Sequence, residues 1–145
     1  MGTTIRANIS KKNPYYITPH RYYELKHFCL QYPEWLKSIS DIETSLLMSA
    51  SVYKISSDSN EWVDPTGNAA TSLAYLKRNI KMVKDAVDKT DSGISWFLLK
   101  AVTEGVSYTY LRTVLEMPCG KGYFYKAYRK FWWVLSTERY TGYGF

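Results

Sequence analysis

Cysteine and histidine are scarce in this chain of 145 residues, with two of each. Cys29 and Cys119 are far apart and belong to no spaced pattern. They read as reduced thiols, which excludes a disulfide framework. His20 and His27 are seven positions apart and fall on one helical face, but helical metal sites favour three- or four-residue spacing. No cysteine or carboxylate completes a set around them, so neither a metal nor any other cofactor is expected. Apolar runs are short and none approaches the roughly 18 residues of a membrane span. The opening MGTTIRANISKKNPYY has no apolar core behind its basic residues and does not read as a secretory leader. The expected setting is the cytoplasm, with no membrane contact. Repeats, low-complexity tracts and strand-like alternation are absent as well. Gly120-Lys121-Gly122 lacks the frame of a phosphate-binding loop. Asp64-Pro65 reads as a turn and Asp85 with Asp88 as a solvated helix face, so no acid pair remains for catalysis and no enzyme is expected.

Aromatic residues and positive charge are abundant. Aromatics make up 17% of the chain, 14 of them tyrosine, and the net charge is +6 with a pI near 9.2. Residues 1–37 carry six Lys/Arg against Glu24 and Glu34, a net of +4. Residues 38–93 have a net of −2, and residues 94–145 a net of +4. Half of the aromatics fall within residues 107–145. Basic, aromatic ends around a mildly acidic middle point to a polyanionic partner.

Helical spacing dominates the chain and predicts an all-α fold. Residues 1–17 read as a flexible basic arm. Thr18-Pro19 predicts a helix start, a hydroxyl at the N-cap with proline at the first helical position. Tyr22, Leu25, Phe28, Cys29 and Tyr32 then recur at three- and four-residue spacing. Pro33 breaks that stripe and opens a second helix through Trp35, Ile39 and Ile42. Residues 44–63 are ambiguous between helix, strand and loop, and Asp64-Pro65-Thr66-Gly67 reads as a turn. The clearest helix spans about residues 68–89, with Leu73, Leu76, Ile80, Val83 and Val87 as its apolar stripe. Two heptads are too few for a coiled coil, so this is a packed core helix, with a short homodimer seam as the minor alternative. Residues 18–93 thus form a helical N-terminal and central region.

Residues 94–139 divide into an apolar helix from Trp96 ended by Gly105, a short one capped by Ser107, and a long one from about Lys121 to Arg139. Residues 140–145 form a tail. Two short helices, a turn at Met117-Pro118-Cys119-Gly120 and a longer basic helix outline a helix-turn-helix. At about 100° per residue, Phe124, Ala127, Tyr128, Phe131, Val134 and Leu135 fall on one arc of the last helix. Lys121, Tyr125, Lys126, Arg129, Trp132, Trp133 and Arg139 fall on the other. One face is expected to pack, while the other offers cations among aromatics to phosphates and base edges. Lys121, Tyr125, Lys126, Arg129 and Lys130 are therefore the candidate nucleic-acid-binding residues. Trp132 and Trp133 are adjacent, so at least one points away from the core.

The stretch Leu98–Leu135, LLKAVTEGVSYTYLRTVLEMPCGKGYFYKAYRKFWWVL, resembles the C-terminal half of RinA/ArpU-type phage transcriptional regulators of Gram-positive bacteria. Those end in a helix-turn-helix related to region 4 of sigma factors. The opening NPYYITPHRYYELKHFCLQYPEW resembles the start of small phage and prophage proteins of Firmicutes. The resemblance implies a phage or prophage transcriptional regulator that binds double-stranded DNA, with host RNA polymerase as a further partner. Two other functions fit the same scaffold. One is a phage protein that binds a host defence nuclease, as an anti-CRISPR-type inhibitor does. The other is a DNA-packaging small subunit, although those carry the helix-turn-helix at the opposite end.

Overall fold

The computed structural model describes residues 10–53 and 65–141. Within them the chain is helical, with no strand among the described residues. The elements are α1 (Pro19–Leu30), α2 (Tyr32–Tyr53), α3 (Pro65–Thr90), a single 3-10 turn (Ser92–Ile94), α4 (Ser95–Glu104), α5 (Tyr108–Thr113) and α6 (Lys121–Thr141). The all-α expectation is borne out. Residues 1–9, 54–64 and 142–145 lie outside the described part. With them lie most of the expected arm, ten residues of the ambiguous stretch, Asp64 of the expected turn, and most of the tail.

The helix boundaries follow local chemistry. Thr18 caps α1, its hydroxyl accepting from the Arg21 amide at 3.3 Å, and Pro19 follows with no amide to lose. Ser107 caps α5 by accepting from the Tyr110 amide at 3.1 Å. Asp91 accepts from the Gly93 amide at 2.9 Å and starts the 3-10 turn. Gly105 ends α4 in the left-handed region, with φ at 68°, and its amide reaches the Ala101 carbonyl. Pro33 sits in the first turn of α2, where proline is tolerated.

One boundary differs from expectation and one open reading is settled. Pro65, Thr66 and Gly67 belong to α3, so the proline opens a helix where the composition suggested a turn. Residues 44–53 extend α2, because the apolar positions Ile39, Ile42 and Leu46 continue its seam at helical spacing.

α6 lies at the centre of the core. It packs along α3 on one side and α1 on another, while α3 packs along α2 with its other side. All six residues assigned to the inner arc of α6 are buried. Trp132 is a correction to the expected outer arc: it is 0% exposed, whereas Trp133 is 39% exposed. Trp132 stands edge-on to Tyr22 of α1 at 5.4 Å and to Tyr128 at 5.5 Å. Arg139 is a second correction. Its guanidinium stacks 3.9 Å from the Phe28 ring centroid and lies 3.5 Å from the Glu24 carboxylate, so it fastens α6 to α1. Tyr140 adds to that clamp by donating to Glu24 at 2.6 Å and lying beneath the Arg21 guanidinium.

A candidate nucleic-acid interface

The outward face of α6 is set by what its neighbours bury. Gly122, Lys126, Trp133 and Thr137 are exposed, and Arg129 and Lys130 are half-buried beside them. On a wheel of about 100° per residue these six span only about 100° of arc, from Arg129 to Lys130. Lys126, Arg129 and Lys130 therefore share one side of one helix, and the structure brings these three candidates together.

The other two candidates sit elsewhere. Lys121 is the first residue of α6, exposed, on the flank of the wheel nearer the core. Tyr125 is half-buried against Phe124 at 5.6 Å and near Tyr108 of α5 at 6.1 Å. Its ring is engaged between Phe124 and Tyr108 of α5.

The charges on α6 divide into two sets. Toward its C-terminal end, Arg139 meets Glu24, and Glu138 receives Lys89 of α3. Among the described residues no carboxylate forms an ion pair with Lys121, Lys126, Arg129 or Lys130. That half of α6 carries cations outside any ion pair in the described chain, with one carboxylate, Asp91, accepting from Tyr123 at its first turn.

Residues 10–17 contribute to the same face, which sequence reasoning missed. The Asn13 amide donates to the Ser10 carbonyl at 2.9 Å and the Tyr16 amide to the Asn13 carbonyl at 3.0 Å. The Asn13 side chain accepts from the Tyr15 amide at 2.9 Å, an Asx turn. Ile17 is buried and anchors the end of the segment. This winding lays the Tyr15 ring edge-on against Trp133 at 5.4 Å, with the Lys130 ammonium 5.8 Å from the Tyr15 centroid. Lys11 and Lys12, both exposed, precede Tyr15 in the same segment. The only signal in the sequence was composition, Lys-Lys-Asn-Pro-Tyr-Tyr before a helix start, and that pattern does not name the surface it meets.

The first turn of α6 is open. A Cβ placed on Gly120 or Gly122 would meet nothing within 4 Å. Backbone amides at a helix start favour anions, and Lys121 and Lys126 flank this one. The connection between α5 and α6, residues 114–120, is longer than the three- or four-residue turn of a compact helix-turn-helix. It is pinned from within: Arg112 donates to the Met117 carbonyl and Met117 is fully buried.

The chain has no match among family models, curated proteins or solved structures. Among the described residues no group of His, Cys, Asp or Glu is arranged to hold a metal, and no helix is long and apolar enough to cross a membrane.

Proposed function

We propose that the protein binds double-stranded DNA through the outward face of α6 and serves as a phage or prophage transcriptional regulator. The observation that carries this reading is the set Lys126, Arg129 and Lys130 on one helical face, without ion-pair partners in the described chain. An α-helix fits the major groove, which is about 12 Å wide. Arg129 has the planar fork that pairs with a guanine edge, while the lysines serve as point charges for phosphate. Lys121 and the open first turn of α6 add phosphate contacts at one end of the face, and Lys11 and Lys12 at the other. The class of regulator rests on the resemblance of residues 98–135 to RinA/ArpU-type proteins. The long connection between α5 and α6 makes this a loosened form of their helix-turn-helix.

A second reading rests on the Tyr15–Trp133 pair beside Arg129, since tyrosine, tryptophan and arginine dominate protein–protein hot spots. In that reading the partner is a host protein, such as a defence nuclease, and the same face docks on its acidic surface.

A duplex-binding titration at several salt concentrations separates the two. DNA binding of the proposed kind falls with salt at a log–log slope of about −0.9 per phosphate neutralised. Lys126→Ala should reduce that slope by about one contact. Arg129→Ala should cost about 1–3 kcal/mol on a cognate site if it reads a base edge. Absence of duplex binding at low salt would reject the regulator and favour the protein partner.

A further inference from the structure

Trp133 is the aromatic member of the outward face of α6. It follows Lys126 by seven residues, Arg129 by four and Lys130 by three, the intervals that recur on one side of a helix. At about 100° per residue, all three cations lie within about 60° of its direction. Arg129 and Lys130 are about one helical turn away along the axis, and Lys126 about two. The indole is 39% exposed, while that of Trp132 beside it is enclosed. Tyr15 packs against it at 5.4 Å with an interplanar angle of 60°, and the Lys130 ammonium lies 5.8 Å from the Tyr15 centroid. The indole is thus held by a ring contact and keeps apolar surface in solvent among cations.

Paired DNA has little use for such a surface. Its grooves present base edges, which guanidinium and ammonium groups read, while the faces of its bases are stacked on one another. An unpaired strand exposes those faces. Every base has one, so an aromatic side chain beside phosphate-binding cations holds a single strand with little regard to sequence. Of the two nucleic acids, DNA fits better. Lys126, Arg129 and Lys130 are donors only, and this face carries no carboxylate or carboxamide to accept from the 2′-hydroxyl that marks RNA.

We propose that the outward face of α6 holds single-stranded DNA, its phosphates on Lys126, Arg129 and Lys130 and one base stacked on the Trp133 indole. The inference rests on the reading of this face as DNA-binding, and it names an unpaired stretch, such as an opened duplex presents, as the substrate. Charge complementarity selects a polyanion, since none of the three cations has an ion-pair partner in the described chain. The indole then selects the kind of polyanion, because only a strand with free base faces rewards it. Its contact with Tyr15 lowers the cost of stacking, as the ring is ordered before the base arrives.

Fluorescence anisotropy at low salt tests it on the full chain. The probes are a labelled DNA strand of mixed sequence, the same strand with abasic sites in place of its bases, the RNA strand of that sequence, and the duplex. The parent should bind the base-bearing strand at least about fivefold more tightly than the abasic one, the effect of a single base–aromatic stack. Trp133→Ala should bind those two strands alike, whereas Trp133→Phe should keep the preference, because any aromatic face serves. Lys126→Ala should weaken both equally and lower the log–log salt slope by about 0.7. If Trp133→Ala loses helix by circular dichroism, Trp133→Leu takes its place. A parent without the preference overturns the inference, as does a preference that survives in Trp133→Ala or tighter binding of the RNA strand. Duplex binding without single-strand binding overturns it too and leaves the duplex reading intact. Single-strand binding without duplex binding rejects that reading and leaves the inference standing, and binding to neither rejects both.

Discussion

The Tyr15 ring meets the Trp133 indole edge-on at 5.4 Å, joining the segment before α1 to the outward face of the last helix. The pair lies on the surface, so it positions the segment and contributes little to global stability. Tyr15→Ala should hasten hydrogen exchange at the Asn13 and Tyr16 amides, whose bonds hold the turn. The melting temperature should hardly move, since such a pair contributes about 0.5–1.5 kcal/mol. Salt-dependent DNA affinity should fall as Lys11 and Lys12 lose their placement. Unchanged exchange in residues 10–17 would mean that Ile17 and the Asx turn hold the segment alone.

Adjacent tryptophans on α6 should respond in opposite ways. Trp132→Ala removes a fully buried indole packed against Tyr22, Tyr128 and Phe131. The expected cost is about 3–5 kcal/mol, from lost burial and the cavity left behind. Trp133→Ala should cost about 1 kcal/mol or less, as expected of a surface substitution with a single ring contact. Thermal or denaturant melts on both variants decide it. Equal losses would mean that α6 is rotated relative to the arrangement described.

The two thiols should differ as sharply. Cys29 is fully buried and its thiol is pushed far up by desolvation, only slightly opposed by Arg139. Cys119 is half-exposed. Burial raises its pKa first and the Asp91 carboxylate raises it further, against the pull of the Arg112 guanidinium. The thiolate is the reactive form, so both shifts slow reaction at neutral pH. An aromatic disulfide reagent should label one thiol per native chain and two in denaturant. The Cys119 rate should keep rising with pH where that of free cysteine has levelled off. Two fast native thiols would contradict the placement of Cys29 in the core.

Much of the helical plan is legible in the sequence because it is decided within one turn. Thr18-Pro19, Gly105 and Ser107 act on backbone groups three or four residues away, and each ends or starts a helix as its chemistry dictates. The inner arc of α6 is legible for the same reason: Phe124, Phe131 and Leu135 repeat at the helical period, and a helix with that stripe buries it. Residues 44–53 were illegible because, uncharged and rich in serine, they offered no polar face against which to read a period. Their helicity comes from the seam with α3.

Only the tertiary structure decided which way the rest of α6 faces. A wheel gives the period of burial and not the width or centre of the buried arc, which depend on how many helices press on it. α3 and α1 both do, and between them they enclose Trp132 and claim Arg139, leaving Lys126, Arg129 and Lys130 as the free side. Tyr15 shows the same limit. Its contact with Trp133 spans nearly the whole chain, and no local pattern encodes it, because the energy that places it arises only once α1 and α6 are packed together.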